Sequence, residues 1–345
     1  MDRTDIGILR WFLQGHMTAP FRPEVRPNIK ILSKRLGVTG ETVRKRMRRM
    51  FEAGILNGVV AQPNPEVLGL QIGAFGMHVP PEASRPKLAR RLALVEGVQL
   101  VATHLDGMIG LVFFHAGGAS LERKLKLMKE MAGGTDTIFT EVAFPPCELE
   151  LKRADWEILA ALRPDASKPY GELAKETGLS AKTVKRRLDR MVAGMAVFTM
   201  ALHETRAVGG GLEANVVVQY EPGADRSAVD GEIVKALEDD LFYAGVWARY
   251  SVFAVSAANL VAVEAAERKV RAIRGVKEAK ASIIDERLEL YDSIDQVIAS
   301  KLRDAGRERR PPGSQRRGSP GSKPARHAPQ GRDGVKDAAR ARTRP

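Results

Sequence analysis

At 345 residues, with 44% apolar and 28% charged side chains, the chain is long enough for two to four packed domains and has the composition of a soluble globular protein. Cys147 is the one cysteine, which excludes an internal disulfide and a cysteine-rich zinc site. The formal net charge is +13, and residues 303–345 carry thirteen Lys or Arg against four Asp or Glu, so the excess is concentrated in a Pro- and Gly-rich basic tail expected to be disordered.

Residues 2–13 read as a helix with Ile6, Leu9 and Phe12 or Leu13 on one face. Residues 15–27 hold Pro20, Pro23 and Pro27 and read as a loop carrying Phe21, Arg22 and Arg26. The stretch 31–56 then has the spacing of a helix-turn-helix. Ser33 is small enough for two helices to cross, Gly37 can take the positive φ of the turn, and Val43 fills the angle between them. Thr39 is placed to cap the second helix. Val43, Met47 and Met50 form its apolar stripe, and Arg44, Lys45, Arg46, Arg48 and Arg49 fill most other positions. Residues 55–65 follow as a short strand or hairpin, a wing, stopped by Pro63 and Pro65.

Residues 72–79, 98–105, 108–115 and 137–144 read as strands and 84–95 and 120–131 as helices, the βαββαβ order of a ferredoxin-like sheet. The whole series then recurs. Residues 153–162 repeat the first helix with Trp156, Leu159 and Leu162, and 172–197 repeat the helix-turn-helix at an offset of 141. Ala174, Gly178 and Val184 keep the spacing, Ser180 replaces Thr39, and Lys182, Lys185, Arg186, Arg187 and Arg190 supply the charge. Residues 197–202 stand where the wing stood, and a second βαββαβ runs over 213–219, 226–238, 243–249, 251–257, 260–273 and 276–284. A closing helix at 293–302 precedes the tail. Met108 to Phe114 and Val216 to Val218 are apolar almost without alternation, so both faces of the sheets want covering and the two sheets are expected to pack on each other.

The expected class is therefore α+β. Winged helix-turn-helix domains at 1–65 and 149–207 alternate with ferredoxin-like domains at 66–148 and 208–302, followed by the disordered basic tail at 303–345. The start holds Asp2, Arg3 and Asp5, so no signal peptide is evident, and the most apolar run, 252–263, is too short to cross a bilayer. A cytoplasmic protein without membrane contact is expected.

This order, and above all LGVTGETVRKRMRRMFEAGILNGVVAQPNPEVLGL from Leu36 to Leu70 with Asn64, Pro65 and Gly69 in place, resembles the Lrp/AsnC (feast/famine) transcriptional regulators. Over about 290 residues the chain is similar to two fused copies. The resemblance implies a sequence-specific DNA-binding regulator whose partner is double-stranded DNA, a small-molecule effector, and homo-oligomers formed through the sheet domains. In amino-acid-sensing members the turn between the second and third strands of the sheet carries a Gly and an Asp. Here it reads His104-Leu105-Asp106-Gly107-Met108-Ile109 and Ala248-Arg249-Tyr250-Ser251, departing from that pattern.

The expected DNA contacts are Thr39, Glu41, Thr42, Arg44, Lys45 and Arg48 in the first helix-turn-helix and Ser180, Lys182, Thr183, Lys185, Arg186 and Arg190 in the second, because helix N-termini and cationic faces approach base edges and phosphates. Neither a catalytic residue nor a metal or cofactor site stands out. Two alternatives remain open: a purely architectural DNA binder, and a siroheme decarboxylase-like tetrapyrrole enzyme drawing on His78, His104, His115 or His203.

Overall fold

The computed structural model describes residues 1–13, 28–80, 84–133, 136–142, 144–204, 211–247, 249–290 and 292–307. The expected proline loop at 15–27 and the tail from residue 308 onward lie outside the described residues. Residues 1–308 make one compact unit.

Helix α1 (Arg3–Leu13) buries Ile6, Leu9 and Phe12. Asn28 caps α2 (Ile29–Leu36), accepting the Ile31 N–H at 3.1 Å, and Gly37 ends it at φ 64°. Helix α3 (Gly40–Glu52) leads into strand β1 (Leu56–Pro63). A one-turn helix, α4 (Pro65–Leu68), follows where the sequence indicated only a proline stop. Asn64 explains it: its fully buried side chain accepts the Glu66 N–H at 3.0 Å and donates to the carbonyls of Pro145 and Met195, each at 2.9 Å.

The sheet elements fall where the periodicity put them. They are β2 (Gln71–His78), α5 (Arg85–Leu92), β3 (Val98–His104), β4 (Met108–His115), α6 (Gly118–Met131) and β5 (Thr137–Val142). Next come α7 (Arg153–Leu162), α8 (Tyr170–Thr177), α9 (Ala181–Ala193) and β6 (Val197–His203). The second sheet series is β7 (Leu212–Tyr220), α10 (Arg226–Ala236), β8 (Leu241–Val246), β9 (Ser251–Ala257), α11 (Leu260–Arg271) and β10 (Val276–Glu289), and α12 (Asp292–Arg307) closes the described chain. Helix α12 runs five residues further than the sequence indicated, so 303–307 belong to a helix and not to the tail.

Three tertiary features depart from the sequence reading. First, the wings are not separate hairpins. Strands β1 and β6 pair with each other, antiparallel, from Leu56↔His203 to Pro63↔Val197, so each satisfies the other's open backbone edge. Second, the two ferredoxin-like sheets join edge to edge. Their eight strands run in the order β5-β2-β4-β3-β10-β7-β9-β8, every neighbouring pair antiparallel. The cause is β10, which does not stop at Ile284. Residues up to Ile283 pair with β7, and after a register shift between Ile284 and Glu286 the strand continues along β3 to Glu289. Third, an antiparallel bridge between Val142 and Trp247 brings the two outer edges together at one end, so the sheet is curled.

Helices α5 and α6 cover one part of the sheet, Leu88, Ala89, Leu92 and Met128 packing on Phe75, Met77, Ile109, Leu111 and Phe113. Helices α10 and α11 do the same for the other with Val229, Ile233, Val263 and Val270 on Val216, Val218, Phe253 and Val255. The opposite face meets the helix-turn-helix modules, since Phe114, Phe242 and Ala254 share one apolar cluster with Ile6, Leu9, Phe12, Trp156 and Leu159. The apolar runs that lacked alternation are thus packed under helices on one side, while on the other the winged modules cover Phe114 and leave Val112 and Val217 half-buried.

Where the β1–β6 ribbon ends, His203 is buried against Phe242, ring centroids 5.3 Å apart, with Nε2 3.0 Å from the Arg287 guanidinium. Arg287 in turn pairs with Glu213 and lies 3.6 Å from Glu289. Burial, and then the Arg287 charge, hold the His203 imidazole well below its ordinary range. Burial also lowers His104 and His115. The unfolded chain takes protons near pH 6.5 that these folded imidazoles refuse. Stability is therefore full above that pH and falls as the pH drops, by up to about 1.4 kcal/mol per pH unit for each group still neutral. Urea unfolding at pH 7 and pH 5 should show the loss, and His203→Gln should make it smaller; a flat profile would contradict the assignment.

Candidate DNA interface

Each helix-turn-helix is shaped by the same few contacts. Gly37 and Gly178 take φ 64° and 68° at the ends of α2 and α8, where a side chain would strain the turn. Thr39 caps α3 by accepting the Thr42 N–H at 3.1 Å, with the two hydroxyls 2.9 Å apart. Ser180 caps α9 through Thr183 at the same two distances. Such a cap contributes about 1 kcal/mol and leaves the first turn of the helix standing clear of the core. Val43 and Met50 anchor α3, and Val184, Leu188 and Met191 anchor α9, all nearly without exposure.

With a residue every 100°, anchoring one stripe decides where the other side chains go. Thr39, Glu41, Arg44, Lys45 and Arg48 are exposed and Thr42 half-buried. On α9, Ser180, Lys182, Lys185 and Arg186 are exposed and Thr183 half-buried. Lys185 also makes a surface pair with Asp189, one turn on, at 2.6 Å. At that exposure the pair adds little and leaves the ammonium accessible. These nine of the twelve expected residues are thus exposed, and the half-buried Thr42 and Thr183 lie in the first turn of their helix.

Arg190 is placed differently. Its guanidinium is 2.6 Å from Asp155, a carboxylate in α7 with no exposure at all, and Arg187 reaches the same carboxylate at 3.0 Å. The first module repeats the arrangement. Asp5 of α1, also fully buried, lies 2.5 Å from Arg49 and 3.4 Å from Arg46, which pairs with Asp2 as well. Both carboxylates also accept a backbone N–H at the start of their own helix, from Asp2 at 3.1 Å and from Lys152 at 2.9 Å. These two aspartates were missed in the sequence. The available signal was an acidic residue at the same place in two otherwise apolar helix faces, each matched to two arginines three apart in the second helix that follows.

Other sequence candidates find separate partners. The Asp106 carboxylate accepts the Met108 N–H at 3.2 Å and lies 3.5 Å from the Lys280 ammonium, serving its own turn. His104 Nδ1 is 2.9 Å from the Ser282 hydroxyl, and His115 Nδ1 accepts the Gly117 N–H at 3.1 Å. Among the described residues no group of three His, Cys, Asp or Glu is placed to hold a metal ion, and no helix is long and apolar enough to cross a membrane.

The sequence model of the AsnC-type helix-turn-helix domain matches residues 153–192, the stretch that supplies α7, α8 and most of α9. An HTH-type transcriptional regulator of Methanocaldococcus jannaschii is 34% identical over 104 residues, 30% of this chain and 64% of that protein. The chain thus carries an AsnC-type helix-turn-helix domain over residues 153–192. An uncharacterised HTH-type transcriptional regulator of Pyrococcus furiosus is 31% identical over 101 residues, covering 28% of this chain and 61% of its own. The chain thus spans less than two thirds of the length of either curated relative. The crystal structure of the siroheme decarboxylase NirDL superposes with a TM-score of 0.53 at 12% identity, over 88% of this chain and 99% of that one. That likeness is one of fold, and it covers both helix-turn-helix modules and the joined sheets.

Proposed function

We propose that this Lrp/AsnC-type chain is a sequence-specific transcriptional regulator that grips duplex DNA with two recognition helices carried by two fused units. The units are residues 1–65 with 66–148, and 149–207 with 208–302. The observation that carries the reading is the matched pair of outward cation rows, Arg44, Lys45 and Arg48 on α3 and Lys182, Lys185 and Arg186 on α9, each beside a capped first turn. Guanidinium and ammonium groups displace condensed counterions from phosphates, while Thr39, Glu41, Thr42, Ser180 and Thr183 lie where a docked helix meets base edges. The basic segment beyond residue 307 adds sequence-independent attraction. A small-molecule effector and self-association through the sheet domains belong to the same reading. Because Asp106 is engaged in its own turn, an amino-acid ammonium is not the effector's contact there.

The test is selection of the full chain on a randomised duplex pool at physiological salt. The unequal modules should enrich an asymmetric site, its halves only loosely alike, bound far more tightly than a scrambled duplex. No enrichment combined with salt-sensitive binding would point instead to an architectural binder. A siroheme decarboxylase-like activity rests on the overall fold likeness and on His104 and His203, both buried and near Arg287. Each imidazole has a partner on one ring nitrogen, Ser282 for His104 and Arg287 for His203, and titration with siroheme should give no stoichiometric absorbance change. Tight binding with product formation would replace the regulator reading.

A further inference from the structure

Five cations on each recognition helix would ordinarily all be counted as available to phosphate. The structure divides them. On α3, Arg46 and Arg49 are one turn apart on the flank that faces α1, and both reach Asp5, whose carboxylate has no exposure. On α9, Arg187 and Arg190 reach Asp155 in α7 in the same way. The arginine side chains themselves remain 28% and 56% exposed in the first module and 23% and 41% in the second. They are thus held at the edge of the interface by a buried anion, not buried with it.

We propose that Asp5 and Asp155 are positioning residues of the DNA interface: each withdraws two guanidiniums from its recognition helix and thereby fixes both the roll of the helix and the number of charges it offers to phosphate. This rests on the DNA-binding reading. Two contacts three residues apart, added to the apolar stripe, define the rotation of a helix about its own axis better than the stripe alone. A bidentate or doubly paired carboxylate also fixes guanidinium geometry in a way a hydrated arginine does not. Charges held away from the backbone lower the sequence-independent attraction, and what remains is weighted toward the side chains that meet bases. The lock therefore raises the selectivity of the chain while lowering its bulk affinity.

The experiment compares the intact chain with Asp155→Asn, Asp5→Asn, Arg190→Gln and Arg186→Gln, measuring affinity against salt for the selected site and for a scrambled duplex. Each Asp→Asn variant should steepen the salt dependence by about one to two phosphate equivalents, since two guanidiniums are released. It should bind the scrambled duplex several-fold more tightly, and the selected-to-scrambled ratio should fall about ten-fold. A purely structural role would lower the melting temperature and leave slope and ratio alone; that result overturns the proposal. Should an Asp variant not fold, the arginine pair decides. Arg190→Gln should leave the slope unchanged and Arg186→Gln should flatten it by about one. Equal flattening by both overturns the proposal while sparing the DNA reading, whereas an intact chain with no salt-dependent duplex binding overturns both.

Discussion

Changing Arg44, Lys45, Arg48, Lys182, Lys185 and Arg186 together to Gln should flatten the plot of log affinity against log salt by about five, near 0.9 for each phosphate no longer neutralised. This is the largest functional effect expected of any surface change in the chain. The fold should tolerate it. All six side chains are exposed, and their one ion pair among the described residues, between Lys185 and Asp189, is a solvated one along the helix. Glutamine keeps helix propensity nearly constant, so the melting temperature should move by no more than a few degrees. Binding should fall to the residual level supplied by the basic segment after residue 307. Fluorescence anisotropy across a salt series measures the slope directly. A variant with unchanged slope and affinity would remove both helices from the interface at once.

Phe242→Ala is expected to have the largest effect on stability, a loss of about 3–5 kcal/mol, because truncating a buried aromatic forfeits its transfer energy and leaves a cavity. Phe242 is 1% exposed, sits at the start of β8, and joins the sheet to α1, to the ribbon and to His203 in one apolar cluster. Since that cluster runs through both helix-turn-helix modules, the whole described unit should unfold in a single transition that shifts as one. Two transitions, only one of them displaced by the substitution, would mean that the halves have separate cores.

How much of this was legible before folding depends on whether the determining contact is local. The apolar stripes of α3 and α9, their caps and their αL glycines lie within a dozen residues of each other, so period and spacing revealed them. The strand order within each half followed from the βαββαβ succession and its short connections. The joined sheet was not legible. Residues 285–289 read Asp-Glu-Arg-Leu-Glu, which looks like solvated chain after an apolar strand, and their partner β3 is nearly two hundred residues away. The β1–β6 ribbon was missed for the same reason, since a wing and half of a long-range ribbon have the same alternation. Arg190 looked like any other cation of its run because the sequence does not say which flank of α9 turns toward α7. Only the buried Asp155 does, and its role is visible once the two helices cross.

Strand β10 straddles the two halves, pairing with β7 of one and β3 of the other. In an ordinary symmetric pair every mutation is written twice, so both recognition surfaces change together and a palindromic site is enforced by inheritance. Here both halves lie on one polypeptide, joined in space by β10 and the β1–β6 ribbon, and a substitution in α9 has no echo in α3. On the proposed reading, the two recognition helices can therefore diverge independently, one keeping its contacts while the other changes. The first module, which carries the extra residues between its first two helices, and the second, with its own cap and charge row, already differ in sequence.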